Sequence, residues 1–96
     1  MSWYIVGRIA IHDPERYARY AEAFMPVLKR YGGRLLVSEE NPEVMEGDAD
    51  GRKLVVLNFE SREAALAWAT SPEYLEIAKD RHAASDGIIV LAEGFG

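Results

Sequence analysis

Three segments of this chain are apolar on both of the faces that an extended strand presents. In Lys53-Leu54-Val55-Val56-Leu57-Asn58-Phe59-Glu60, every second side chain shares a face. Val55, Leu57 and Phe59 therefore form one wholly apolar side, and Leu54, Val56 and Asn58 form another that carries a single amide. From Trp3 to Ile11 the same holds: Trp3, Ile5, Gly7, Ile9 and Ile11 fall on one side, and Tyr4, Val6, Ala10 and the one charged residue, Arg8, on the other. Ile88-Ile89-Val90-Leu91-Ala92-Glu93 repeats the pattern. A sheet built from such strands needs cover on both sides, and 96 residues make one small domain, spanning 1–96, with no room for a second.

Between the strands the sequence switches to helix formers behind recognisable starts. Asp13 caps a helix whose first position is Pro14 and whose first turn carries Glu15. Tyr17, Tyr20, Ala21, Phe24, Leu28 and Tyr31 then recur at steps of three and four, giving one aromatic stripe to pack on the sheet. Pro26 predicts a kink or restart within that helix, and Gly32-Gly33 ends it. Leu35-Leu36-Val37-Ser38 reads as a strand. Glu39-Glu40-Asn41-Pro42 interrupts it, and Val44-Met45-Glu46 resumes extended structure in a hairpin arm at the sheet edge, before a polar Gly47 to Gly51 turn. Ser61 caps the next helix, through Trp68. Ser71-Pro72 starts another, with Tyr74, Leu75, Ile77 and Ala78 on its apolar side and Lys79, Arg81 and His82 towards its C-terminus. Asp86-Gly87 is expected to turn into the last strand. The order is βαββαβ, an α+β fold in which a four-stranded antiparallel sheet carries its helices on one face.

That arrangement leaves Tyr4, Val6, Ala10, Leu54, Val56 and half of the last strand on the bare face. Each such side chain is worth about 1.5–3 kcal/mol when buried, and half a dozen sum to roughly the total stability of a small domain. The expected partner is a second copy of the chain, sheet against sheet, in a homodimer. Other partners are disfavoured. The net charge of −5 and the lack of a Lys/Arg cluster argue against nucleic acid. No apolar run approaches the ~20 residues of a membrane span. Without cysteine there are no disulfides or thiolate metal sites, and no His/carboxylate spacing suggests a metal. With no signal peptide evident, a cytoplasmic protein working without a cofactor is the expectation.

The assembled features resemble one small family, the DUF1330 proteins of the dimeric α/β-barrel (ferredoxin-like) superfamily. The resemblance runs over essentially the whole chain. It is carried by Asp13-Pro14 with Tyr17 and Tyr20, Tyr31-Gly32-Gly33, Glu46-Gly47, the Leu54 to Phe59 strand with Ser61, Trp68, Ser71-Pro72-Glu73-Tyr74, Arg81 and Glu93-Gly94. It implies the ferredoxin-like fold and the dimer, and supplies no reaction. Superfamily relatives include cofactor-free monooxygenases, haem-degrading enzymes, lactone isomerases and ligand-sensing dimers. The haem-degrading ones use an asparagine on the first strand with a tryptophan and a histidine later. This chain offers Trp68 and His82 but has Gly7 and Arg8 in that strand, which lowers the haem reading.

Candidate site residues follow from polar groups in apolar settings. Arg8 and Asn58 on the barrel-facing side need a partner or a ligand; Arg8 could pair with Glu46 or Glu93 across the dimer, or orient a carboxylate or an enolate. His82 and His12 are the only imidazoles and could act as bases, although solvated surface positions suit both better. Trp68, Tyr20, Tyr31 and Tyr74 could wall a flat substrate or simply form core. Glu46 could be a ligand group or half of an ion pair with Arg81. The expected activity is binding or cofactor-free turnover of a small aromatic or carbonyl metabolite at a site bordered by Arg8, Tyr20, Glu46, Asn58, Trp68 and His82. The contrasting expectation is a non-catalytic dimerisation or sensing module.

Overall fold

In the computed structural model, which describes residues 2–95, the elements run β1 (Trp3–Ile11), α1 (Pro14–Arg30), β2 (Arg34–Glu39), β3 (Lys53–Phe59), α2 (Arg62–Ala69), α3 (Pro72–Ala84) and β4 (Ser85–Glu93). The strands form one antiparallel sheet in the order β2-β3-β1-β4, the ferredoxin-like arrangement. The uniformly apolar parity faces the helices: Ile5, Ile9, Leu57 and Phe59 are buried, with Leu28 and Phe24 of α1 and Trp68 of α2 in the same core.

The helix starts follow their capping residues. Asp13 accepts from the Arg16 amide at 3.2 Å, Ser61 from Ala64 at 3.0 Å and Ser71 from Tyr74 at 3.1 Å. Ser71 also donates to the Trp68 carbonyl at 2.8 Å, so one buried hydroxyl ties the end of α2 to the start of α3. Helix α1 ends in a Schellman motif, Gly33 bonding back to Leu28 at 3.0 Å and Gly32, at φ +77°, to Lys29 at 3.1 Å. Helices α1 and α3 pack antiparallel, since Arg16 at the start of α1 meets Asp80 late in α3 at 2.8 Å and Arg30 at the end of α1 meets Glu73 early in α3 at 3.3 Å.

Helix α1 continues through Pro26 to Arg30 without terminating, the proline ring on its exposed side. Three local expectations are corrected. Ala21 in its stripe is exposed, the turn between Tyr20 and Phe24 being open to solvent there. Val44-Met45-Glu46 is irregular, so β2 and β3 are joined by a long polar loop and not by an extended arm; β2 itself is an edge strand, as is β4. Asp86-Gly87 is not a turn. Strand β4 leaves α3 directly, Gly87 opposite Ile9, because the Ala84 carbonyl is held by the His12 and Asp13 amides and a side chain at Gly87 would crowd the Arg8 carbonyl at 3.3 Å.

One irregularity sets the edge. A bulge at Leu36 shifts the β2 register between Leu35 and Val37, putting Leu35 and Ser38 on the helix face and Val37 on the other. The helix-free face is then apolar in every strand: Tyr4, Val6, Leu54 and Val56 are half-buried, while Val37, Ile88 and Val90 are 37%, 61% and 48% exposed.

Gly33 shows how tight the covered side is. A β-carbon there would clash with Leu28 and come within 2.8 Å of Phe59, both fully buried. Gly33→Ala is therefore expected to lower stability by about 1–3 kcal/mol in urea denaturation, as overpacking does, whereas an unchanged midpoint would show that the α1–β2 corner can relax.

Candidate functional site

The helix layer does not fill the space above the sheet. At Gly7, in the middle of β1, the covered face carries no side chain, and a cavity of about 150 Å³ opens above it. Ile5, Ile9, Val55 and Leu57 surround this floor, and Tyr17, Tyr20, Phe24, Trp68 and Tyr74 form the wall. Exposed Ala21 and Ile89 also line it, so the cavity opens partly to solvent. The wall is a continuous aromatic cluster. Trp68 lies 4.1 Å from Tyr74, 5.6 Å from Phe59 and 5.9 Å from Phe24 between ring centroids, and Tyr20 lies 5.5 Å from Phe24. Ser71, by holding α2 to α3, fixes the Trp68–Tyr74 pair.

Two cations enter this apolar setting. Lys53 reaches over the Tyr17 ring at 5.0 Å, its side chain only 11% exposed, and pairs with Glu40 at 3.0 Å. Arg81 lies over Tyr20 with its guanidinium carbon 5.8 Å from the ring centre. It hydrogen-bonds with His82 Nε2 at 3.2 Å, and no carboxylate pairs with it among the described residues. Arg81 Nε and Trp68 Nε1 are buried without a hydrogen-bond partner. The Tyr20 and Tyr74 hydroxyls bond to each other at 2.9 Å, which uses one of their two O–H groups.

The ionisation of these groups follows from burial. Desolvation pushes the Tyr17 phenol up to about 12, against the pull of Arg81. Tyr20 is raised further, by burial first and then by Tyr74. Desolvation works against the Arg81 charge and the neighbouring tyrosines favour it, and a guanidinium is in any case charged at neutral pH. At neutral pH the cavity therefore presents Tyr17 and Tyr20 as neutral phenols beside two cations.

The residues expected at the site separate into distinct places. Tyr20 and Trp68 come together in the cavity. Arg8 lies on the other face of the sheet and pairs with Asp50 of its own chain at 2.6 Å, the β2–β3 loop folding alongside it. Glu46, in that loop, borders with Arg8 a separate hollow of about 580 Å³ and makes no ion pair with Arg81 among the described residues. Asn58 is buried within the sheet, accepting from Arg34 at 2.5 Å and donating to the Trp3 carbonyl at 3.2 Å. His82 is exposed on α3 beside Arg81, and His12 is exposed 4.0 Å from Asp86. Tyr31 points away, donating to Glu73 at 3.0 Å in the α1–α3 seam. A haem does not fit this cavity: about 150 Å³ is the room one benzene ring takes, a tetrapyrrole is several times larger, and His82 is not among the lining residues.

Arg81, Lys53 and Gly7 were legible and missed. Arg81 continues the buried stripe of Tyr74 and Ala78 at steps of four and three, Lys53 shares the core-facing parity of Val55, and Gly7 interrupts an apolar strand face.

The late phenols give a test. Tyr17 titrates at its ordinary value of 10.0 when unfolded and near 12 when folded, so its contribution to stability is complete below pH 10 and is lost as the pH rises to about 12. Tyrosinate absorbance should show Tyr17 and Tyr20 ionising only as helical circular dichroism disappears, and Tyr17→Phe should remove part of that late step. Full ionisation of all tyrosines with the helices intact would contradict the burial.

Comparison with known proteins agrees with this fold. The chain belongs to the DUF1330 family, "Domain of unknown function (DUF1330)", whose profile it matches over residues 2–95. It is similar to a protein of unknown function from Rhodopseudomonas palustris at 19% identity and a TM-score of 0.83, over 99% of this chain and 83% of that one. It is also similar to SnoaB, a cofactor-independent oxygenase from Streptomyces nogalater, at 18% identity and a TM-score of 0.71, over 99% and 94%. A dimeric ferredoxin-like protein of unknown function from Jannaschia sp. matches at 16% identity and a TM-score of 0.68, over 98% and 100%. No curated protein matches the chain.

Proposed function

For this member of the DUF1330 family we propose a cytoplasmic homodimer that binds a small aromatic or carbonyl compound in the cavity between sheet and helices of each subunit. The observation that carries the reading is the cavity itself, a ring-sized space over Gly7 walled by Trp68, Tyr20 and Tyr74. A chain serving only to dimerise has no reason to leave its best aromatic cluster open, because an empty apolar space loses packing contacts. Its ionisable lining residues are Lys53, Arg81 and tyrosines, with no carboxylate or imidazole among them. The cavity can hold a carbonyl and polarise it, but it has no carboxylate or imidazole to take a proton from a substrate. Turnover would have to rely on the substrate's own acidity, and binding is what the geometry supports best. Likeness in fold to a cofactor-independent oxygenase is compatible with such chemistry.

The dimer rests on the helix-free face. Val37, Ile88 and Val90 lie exposed beside half-buried Tyr4, Val6 and Val56 on one continuous surface, and burial of each large side chain contributes about 1.5–3 kcal/mol. A second copy is the occupant with a matching surface, and a fold neighbour is a dimer.

Two experiments test these parts separately. In a Trp3→Phe background, Trp68 is the one remaining tryptophan, and titration with small aromatic and carbonyl compounds should change its fluorescence. Gly7→Val should abolish the response while lowering stability by about 1–3 kcal/mol, since a β-carbon there meets the movable tip of Ile89 at 3.0 Å and otherwise only the Ile9 side chain at ordinary contact distance. An unaltered response in Gly7→Val would remove the cavity as the site. Val90→Asp should weaken self-association by about a hundredfold or more, the penalty for burying a carboxylate in an apolar contact; association at wild-type strength would place the interface elsewhere.

A further inference from the structure

We infer that this cavity selects an anion, a ring-sized organic acid whose carboxylate is taken by Arg81 and by the hydroxyl left over from the Tyr20–Tyr74 pair. The inference rests on the binding reading above and adds the charge of the ligand to it. The chain as a whole carries a net charge of −5, yet the cavity lining contains Lys53 and Arg81 and no aspartate or glutamate. Lys53 has a carboxylate partner in Glu40 at 3.0 Å; Arg81 has none among the described residues. A half-buried guanidinium without a counterion is unfavourable unless something else brings the negative charge.

The hydrogen-bond inventory points the same way. Two phenols sharing one bond at 2.9 Å leave one O–H without an acceptor, whichever of them donates. Arg81 Nε and Trp68 Nε1 are donors without a partner. The unmet demand is thus for acceptors, and a carboxylate supplies two oxygens that accept only. Because burial keeps Tyr17 and Tyr20 protonated well above neutrality, these phenols offer hydrogens and not competing charge. The size of the space sets the rest of the ligand. About 150 Å³ lined by aromatic and branched aliphatic side chains holds one benzene ring, so the body is a single ring or an aliphatic group of that bulk, with its acid group towards half-buried Arg81.

The test uses the intact wild-type protein and two probes of equal shape, benzoate and benzamide, in isothermal titration calorimetry at neutral pH. Benzoate should bind at least about tenfold more tightly, the worth of one charge-assisted hydrogen bond. Arg81→Gln should bring benzoate down to the level of benzamide, and a circular dichroism spectrum and urea midpoint matching the wild type report that the variant is folded. Lys53→Gln should reduce the preference less, because Lys53 already has Glu40. Equal affinities for the two probes in the wild type would overturn the anion inference and leave the cavity as a neutral binding site. A benzoate preference that survives Arg81→Gln would overturn the assignment to Arg81. Binding of neither probe, with Gly7→Val indistinguishable from wild type, would overturn the binding reading and this inference together.

Discussion

Phe59 and Leu57 are sealed beneath the helices, while Val56 and Leu54, alternating with them along β3, stay only half-buried on the face without helices. The constraint is the pleat of the strand: adjacent residues point to opposite faces, and a strand apolar at every position commits the sheet to being covered twice. One layer of three helices supplies the first cover. The architecture, the order of elements and the expected second copy of the chain all descend from that single requirement. The energetics favour it because each large side chain left open forgoes about 1.5–3 kcal/mol.

The covered side is where packing and chemistry meet. At the Gly33 corner it is tight enough to exclude a methyl group; over Gly7 it is open enough to hold a ring. The difference arises from which residues the helices bring. Tyr, Trp and Phe are too large and rigid to interdigitate as closely as Leu and Ile, and the missing side chain at Gly7 leaves the space between them unfilled. The same aromatic residues carry polar edges, and the α3 stripe delivers Arg81 among them. A core that is well packed at its ends and donor-rich in its middle is what a small binding site requires.

Much of this was legible from the residues. The alternation in β1 and β3, the Asp13-Pro14 and Ser71-Pro72 helix starts and the Gly32-Gly33 end act locally, through backbone groups within a few positions, and they identify the fold. Asp86-Gly87 misled because a dipeptide that favours turns was held straight by the Ala84 carbonyl and its pairing with β1, a tertiary effect that no local signal carries. The Arg8–Asp50 pair was not legible for a similar reason: a long irregular loop brings Asp50 back to β1, and loop paths are not periodic. Arg81 read from the sequence as a helix-end cation or a partner for Glu46, although its spacing from Tyr74 and Ala78 puts it on the buried stripe.

The proposed ligand site lies within one subunit, and the proposed dimer would give the sheet its second cover. Sedimentation equilibrium of the wild-type protein at micromolar concentration is the most direct measurement of that dimer. A mass twice the 10.8 kDa of the single chain is the predicted result. A stable, well-behaved species at the mass of one chain would contradict the account at its root, since the exposed face of the sheet would then need no partner.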